Sequence, residues 1–148
     1  MKKILSSLVI LLSLVSSAFG EDLKIRTDEF PDKEMKSQNK EIVRLVSAEI
    51  SDTLPQKVDN FTTLVSVSGV GTTLLYKFEI NTGSKSDEAV KSEDRSRMKR
   101  AVTEGVCQSS EKFLLAGINT SYIYVSSKTK VHLFQFDISL KDCPPVKN

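Results

Sequence analysis

The chain has 148 residues, with 21 lysines and arginines against 19 aspartates and glutamates, two cysteines, one histidine and no tryptophan. That length suits one domain with one hydrophobic core. The near balance of charge removes any global electrostatic reason to bind nucleic acid, and one histidine with two separated cysteines cannot supply a zinc set.

Residues 1–20, MKKILSSLVILLSLVSSAFG, read as a cleaved signal peptide. Lys2 and Lys3 precede an apolar core from Ile4 to Val15, and Ala18 and Gly20 place small residues at a cleavage site after Gly20. The core is shorter than the roughly 20 apolar residues that a membrane span needs, and Ser6, Ser7 and Ser13 interrupt it. No cysteine lies near the cleavage point to carry a lipid. Cleavage takes two lysines and no acid, leaving 19 groups of each sign and no formal net charge on residues 21–148. The Met-Lys-Lys start is bacterial in style, so the expected destination is the periplasm or the medium, with no stable membrane anchor.

Residues 21–148 read as a single α+β domain in which 21–31 form a flexible arm or edge strand. From Asp32 to Ile50, Met35, Asn39, Ile42, Val43, Val46 and Ile50 recur at helical spacing, which predicts an amphipathic helix. Phe61, Thr63, Val65 and Val67, then Leu74, Tyr76, Phe78 and Ile80, alternate as two strands, and Gly69-Val70-Gly71 between them predicts a hairpin turn. Ser84 to Arg97 is polar and leads into a second helix carrying Met98, Ala101, Val102 and Val106 up to Cys107. Gly105 weakens that helix by about 1 kcal/mol relative to alanine, a cost that close packing on a sheet would explain. Ile118–Val125 and Lys130–Leu140 predict a second hairpin around Ser126-Ser127-Lys128-Thr129, with Phe134, Phe136, Ile138 and Leu140 on one face. The expected architecture is an antiparallel four-stranded sheet of two hairpins, order α-β-β-α-β-β, with helices packed on one face.

Two cysteines in an exported domain pair, because the compartment oxidises them. A Cys107–Cys143 disulfide would tie the second helix to the end of the last strand and close a segment of about 36 residues, stabilising by roughly 4 kcal/mol in the chain-entropy model. The competing arrangement, a Cys107 nucleophile activated by His132, needs a reduced thiol and a base within hydrogen-bond reach. Compartment and pairing favour the disulfide.

Two groups are candidates for partner binding. Arg95, Arg97, Lys99 and Arg100 form a short basic run fit for an acidic partner, although a solvated helix start is its ordinary role. Tyr122 and Tyr124 share one strand face, where cross-strand packing is the default and interface anchoring the alternative. Gly69-Val70-Gly71 lacks the frame of a phosphate loop, and no GxSxG, SxxK or HExxH pattern occurs. No catalytic, cofactor-binding or metal residue is expected.

The segment from LLYKFEI through VCQSSEKFLLAGINTSYIYVSSKTKVHLFQFDISLKDC resembles small exported single-disulfide α+β proteins of Gram-negative bacteria. More loosely it is similar to cystatin-like sheets and to the disulfide-bonded pilotins of secretion systems. The resemblance implies a scaffold with no catalytic residues. The function expected is therefore a non-enzymatic periplasmic module or adaptor that binds another protein. A periplasmic immunity or inhibitor protein that neutralises a toxin or hydrolase is the alternative, and a small hydrolase built on carboxylates is a third.

Overall fold

The computed structural model describes residues 32–145. The expected signal peptide (1–20) and arm (21–31) lie outside the described residues, as do residues 146–148.

Helix α1 (Asp32–Ser51) matches the predicted periodicity. Val43 on its inner stripe is 1% exposed, and Ile42, Val46 and Ile50 pack beside it against the sheet. Asn39 lies on the same stripe and is buried, a cost met by donating its side-chain Nδ2 to the Ala116 carbonyl at 2.6 Å. The two-residue strand β1 (Gln56–Lys57) follows, and then β2 (Thr62–Val70) and β3 (Thr73–Ile80) form the first hairpin.

The hairpin turn is Gly71-Thr72 rather than Gly69-Val70-Gly71. Gly71 takes φ +60°, which glycine adopts without a Cβ clash, and Val70 pairs directly with Thr73. Gly69 is a strand residue that lies against α1: a Cβ there would come within 2.4 Å of Val43 Cγ1. The alternation expected over residues 61–67 is also displaced. A register shift between Leu64 and Ser66 turns Leu64 and Val67 both inward and leaves Phe61 66% exposed.

The polar stretch and second helix resolve into three pieces, α2 (Asp87–Ser92), α3 (Ser96–Ser109) and α4 (Glu111–Leu115). The Ser86 side chain caps α2 by accepting from the Ala89 amide at 3.2 Å. Strands β4 (Asn119–Ser126) and β5 (His132–Ile138) then form the second hairpin, and a 3₁₀ turn spans Leu140–Asp142.

The α+β class holds, but the sheet differs from expectation in count and direction. It has five strands in the order β1-β2-β3-β4-β5, because β1 adds an edge beside β2. It is mixed, because β4 runs parallel to β3, with Phe78 opposite Tyr124. The three helices between β3 and β4 carry the chain back to the end where β3 began, so the two hairpins meet in parallel. Element order is accordingly α-β-β-β-α-α-α-β-β.

Helices α1 and α3 pack on the same side of this sheet. Val43 of α1 shares one buried core with Leu64, Val67, Leu74, Phe78, Ile118, Tyr124 and Phe136, and Met98 and Val102 of α3 pack against it. A second cluster, Val106, Leu114 and Ile138, sits beside Cys107 and Cys143 at the end of α3.

Candidate partner-binding surface

The bond predicted between Cys107 and Cys143 is present, with Cα atoms 5.6 Å apart and a sequence separation of 36. It removes the thiol on which the Cys107–His132 alternative depended. His132 stands exposed at the start of β5, opposite Val125.

The tyrosine pair faces the helices rather than solvent. Tyr124 is 4% exposed and stacks between Phe78, with ring centres 4.9 Å apart, and Phe134, at 4.6 Å. Tyr122 is half-buried and tilts against Tyr76 at 5.2 Å and Phe78 at 5.1 Å. Burial raises the pKa of the Tyr76, Tyr122 and Tyr124 phenols, that of Tyr124 to about 12. Their rings build the core, so the packing role expected by default is the one observed. The opposite face of β4 carries Ser121, which is buried, and Ile123, which is half-buried.

The basic run divides. Arg95 turns inward with 16% of its side chain exposed and donates Nη2 to the Val90 carbonyl. Its guanidinium lies over the Phe134 ring, 3.8 Å from the centroid, and 3.7 Å from Glu93. It holds the α2–α3 joint to β5. Arg97, Lys99 and Arg100 are exposed on the first turns of α3.

The carboxylates that a hydrolase would draw on are engaged in the scaffold. Glu79 pairs with Lys130 Nζ at 2.8 Å, and Asp142 accepts from the Ser139 amide at 2.8 Å to cap its own turn. Asp137 accepts from the Ser121 hydroxyl at 2.6 Å and from Gln135 Nε2 at 2.7 Å. The Ser121 bond first, then that of Gln135, holds the Asp137 carboxyl below its usual range, the wrong direction for a general acid. Among the described residues no group of three His, Cys, Asp or Glu side chains converges to hold a metal.

Among the described residues, three of the open grooves bear on the question. One of about 290 Å³ lies under the hairpin turn, between Lys40 and Arg44 of α1 and Gly69. One of about 280 Å³ is polar and holds Asp137, Asp142, Asn119 and Thr73. The third, about 260 Å³, runs beside the disulfide and is lined mainly by apolar atoms. Its floor is Leu114 and the Cys107–Cys143 pair, and its walls are Leu140, Pro144 and Pro145 on one side and Glu104, Gln108 and Glu111 on the other. Of these wall residues only Leu140 stood out in the sequence, where it was expected on the apolar face of the last strand; β5 ends at Ile138, and Leu140 opens the following turn at 42% exposure.

Among solved structures the chain matches three-dimensionally with proteins of very different sequence. A candidate secreted protein from Pseudomonas aeruginosa aligns over 74% of this chain and 96% of its own, at 14% identity and TM-score 0.66. The pilotin of the Vibrio vulnificus type 2 secretion system aligns over 78% of this chain and all of its own, at 13% identity and TM-score 0.63. A type II secretion system pilotin from Vibrio cholerae gives 75% and 97%, at 12% identity and TM-score 0.59. The fold is pilotin-like. No family model and no curated protein sequence matches the chain. The cystatin-like comparison gains nothing from these structures. A pilotin-like scaffold with a disulfide-bonded joint agrees with the oxidising compartment that the cysteines implied.

Proposed function

We propose that this chain is an exported, non-enzymatic protein-binding module that acts as an adaptor in a bacterial secretion pathway. The single observation that carries the reading is the pilotin-like fold, which aligns with nearly the full length of two secretion-system pilotins. Three features support it from the residues themselves. The disulfide fits an oxidising compartment, the candidate carboxylates are tied into the scaffold, and the groove beside the disulfide is open to the surface. Cleavage of residues 1–20 would release residues 21–148 into the periplasm, with no cysteine at the cleavage point to carry a lipid.

The test is deletion of the gene in its native host, followed by the distribution of secreted enzymes between periplasm and medium. Retention in the periplasm, restored by the complementing gene, is the expected result. Unchanged secretion, with no periplasmic partner crosslinked to the chain, would overturn the proposal.

A further inference from the structure

We propose that the groove beside the Cys107–Cys143 bond docks a partner segment that presents apolar side chains flanked by lysine or arginine. This inference rests on the adaptor reading and names the surface and the partner chemistry.

The groove is the most apolar of the three. At about 260 Å³ it is at the small end for a cofactor or drug-sized ligand, and it suits anchoring side chains of a docked chain. Leu114 at its base is 2% exposed, whereas Leu140 on its wall is 42% exposed, a large apolar side chain held at the surface. Pro144 and Pro145 offer no amide donors, so that wall rewards apolar contact more than hydrogen bonding. The disulfide and the proline pair also fix the groove before any partner arrives, which lowers the ordering cost of docking.

Charge sets the flanks. Glu104 and Gln108 are one turn apart on α3, and Glu111 opens α4, so two exposed carboxylates border one side. Neither belongs to any of the ion pairs among the described residues. An apolar trough with an unmatched acidic rim favours an apolar segment with cationic neighbours and disfavours an acidic one.

The experiment places a photo-crosslinking residue at Gln108 or Leu140 in the groove, and at Leu75 or Ile123 on the opposite sheet face, in the full-length protein expressed in its native host. The crosslinked segment is sequenced by mass spectrometry. The expected result is crosslinking from the groove positions to an apolar segment bearing Lys or Arg, reduced about tenfold in the Glu104→Lys/Glu111→Lys variant. A synthetic peptide of that segment with its Lys and Arg replaced by Glu should bind the variant better than the wild type. Both substituted positions are exposed, so circular dichroism of the variant should match that of the wild type. An acidic segment, or a crosslink indifferent to the charge reversal, overturns the proposal. So does a groove crosslink to a second copy of this chain or to the chain's own residues. Crosslinking only from the sheet-face positions overturns the groove assignment while leaving the adaptor reading intact, whereas no crosslink from any position overturns both.

Discussion

Gly69→Ala isolates the contact that seats α1 on the sheet. The added Cβ would lie 2.4 Å from Val43 Cγ1, well inside van der Waals contact, while the Val43 carbonyl carbon and oxygen stay at an ordinary 3.5 Å. The clash is therefore with one methyl group. Valine in a helix has a single strongly preferred rotamer, and Val43 is 1% exposed, so moving the methyl aside costs rotamer and packing energy. Overpacking of this kind costs about 1–3 kcal/mol, and the smaller unfolded-state entropy of alanine returns about 0.4–1 kcal/mol. The net expectation is a loss of about 1–2 kcal/mol.

Urea unfolding followed by far-ultraviolet circular dichroism reads this as a lower midpoint at unchanged slope. A double-mutant cycle then identifies the partner. Val43→Ala alone opens a cavity and costs about 2 kcal/mol, but it also removes the methyl in question. In that background Gly69→Ala should be neutral or stabilising, giving a favourable coupling of about 1–2 kcal/mol. Two results would refute the reasoning: Gly69→Ala as stable as wild type, or a cycle additive to within about 0.5 kcal/mol.

Gly105→Ala should act in the opposite direction. A Cβ there meets nothing within 4 Å, so the variant should gain about 0.5–1 kcal/mol in the same assay, and a loss would place an unseen neighbour against α3. The paired Cys107→Ser/Cys143→Ser variant opens a 36-residue closure and should lose roughly 4 kcal/mol, and the unfolded, unreduced wild type should titrate no free thiol. Arg95→Met, which loses the bond to the Val90 carbonyl and the charge over Phe134, should cost about 1–2 kcal/mol, whereas exposed Arg97→Ala should stay within about 0.5 kcal/mol. Asp137 has a depressed folded-state pKa, so its contribution is present above the unfolded value near 3.8 and is lost as pH falls through the lower folded value. The stability gap between wild type and Ser121→Ala should therefore be full at neutral pH and narrow below that point; a gap constant with pH would reject the linkage.

What could be read from the sequence was local or chemical. The stripe Asn39, Val43, Val46 and Ile50 carries its own helical period, and it became α1 with nearly the predicted ends. The disulfide followed from compartment and count, with no geometry needed. What could not be read depends on partners distant in the chain. A strand carries the same alternation whether its neighbour runs parallel or antiparallel, so residues 118–125 could not declare that β4 lies parallel to β3. The bulge after Leu64 arises between paired strands, and it moved Val65 out of the face that alternation had assigned to it. Arg95 looks like Arg97 in a basic run, yet the Phe134 ring, far along the chain, pulls one guanidinium inward and leaves the other in water. Gly105 and Gly69 exchanged roles for the same reason: only the assembled core decides which glycine has a neighbour.

The groove belongs to this second kind of feature, although the first kind builds it. Cys107 ends up at the close of α3 and Cys143 after the last strand, and their bond draws the Leu140–Asp142 turn and the two prolines against α3 and α4. Val106, Leu114 and Ile138 pack beneath the bond as a second cluster, joined to the main α1–sheet core through Val102 and Tyr122. The joint is thus a small covalently closed unit set against a larger sheet, and its outer surface can change without disturbing the residues that hold α1. A scaffold divided in this way keeps its fold at 12–14% identity to its structural neighbours, and under the docking proposal the side chains bordering the joint, here Glu104, Glu111 and Leu140, would select the partner.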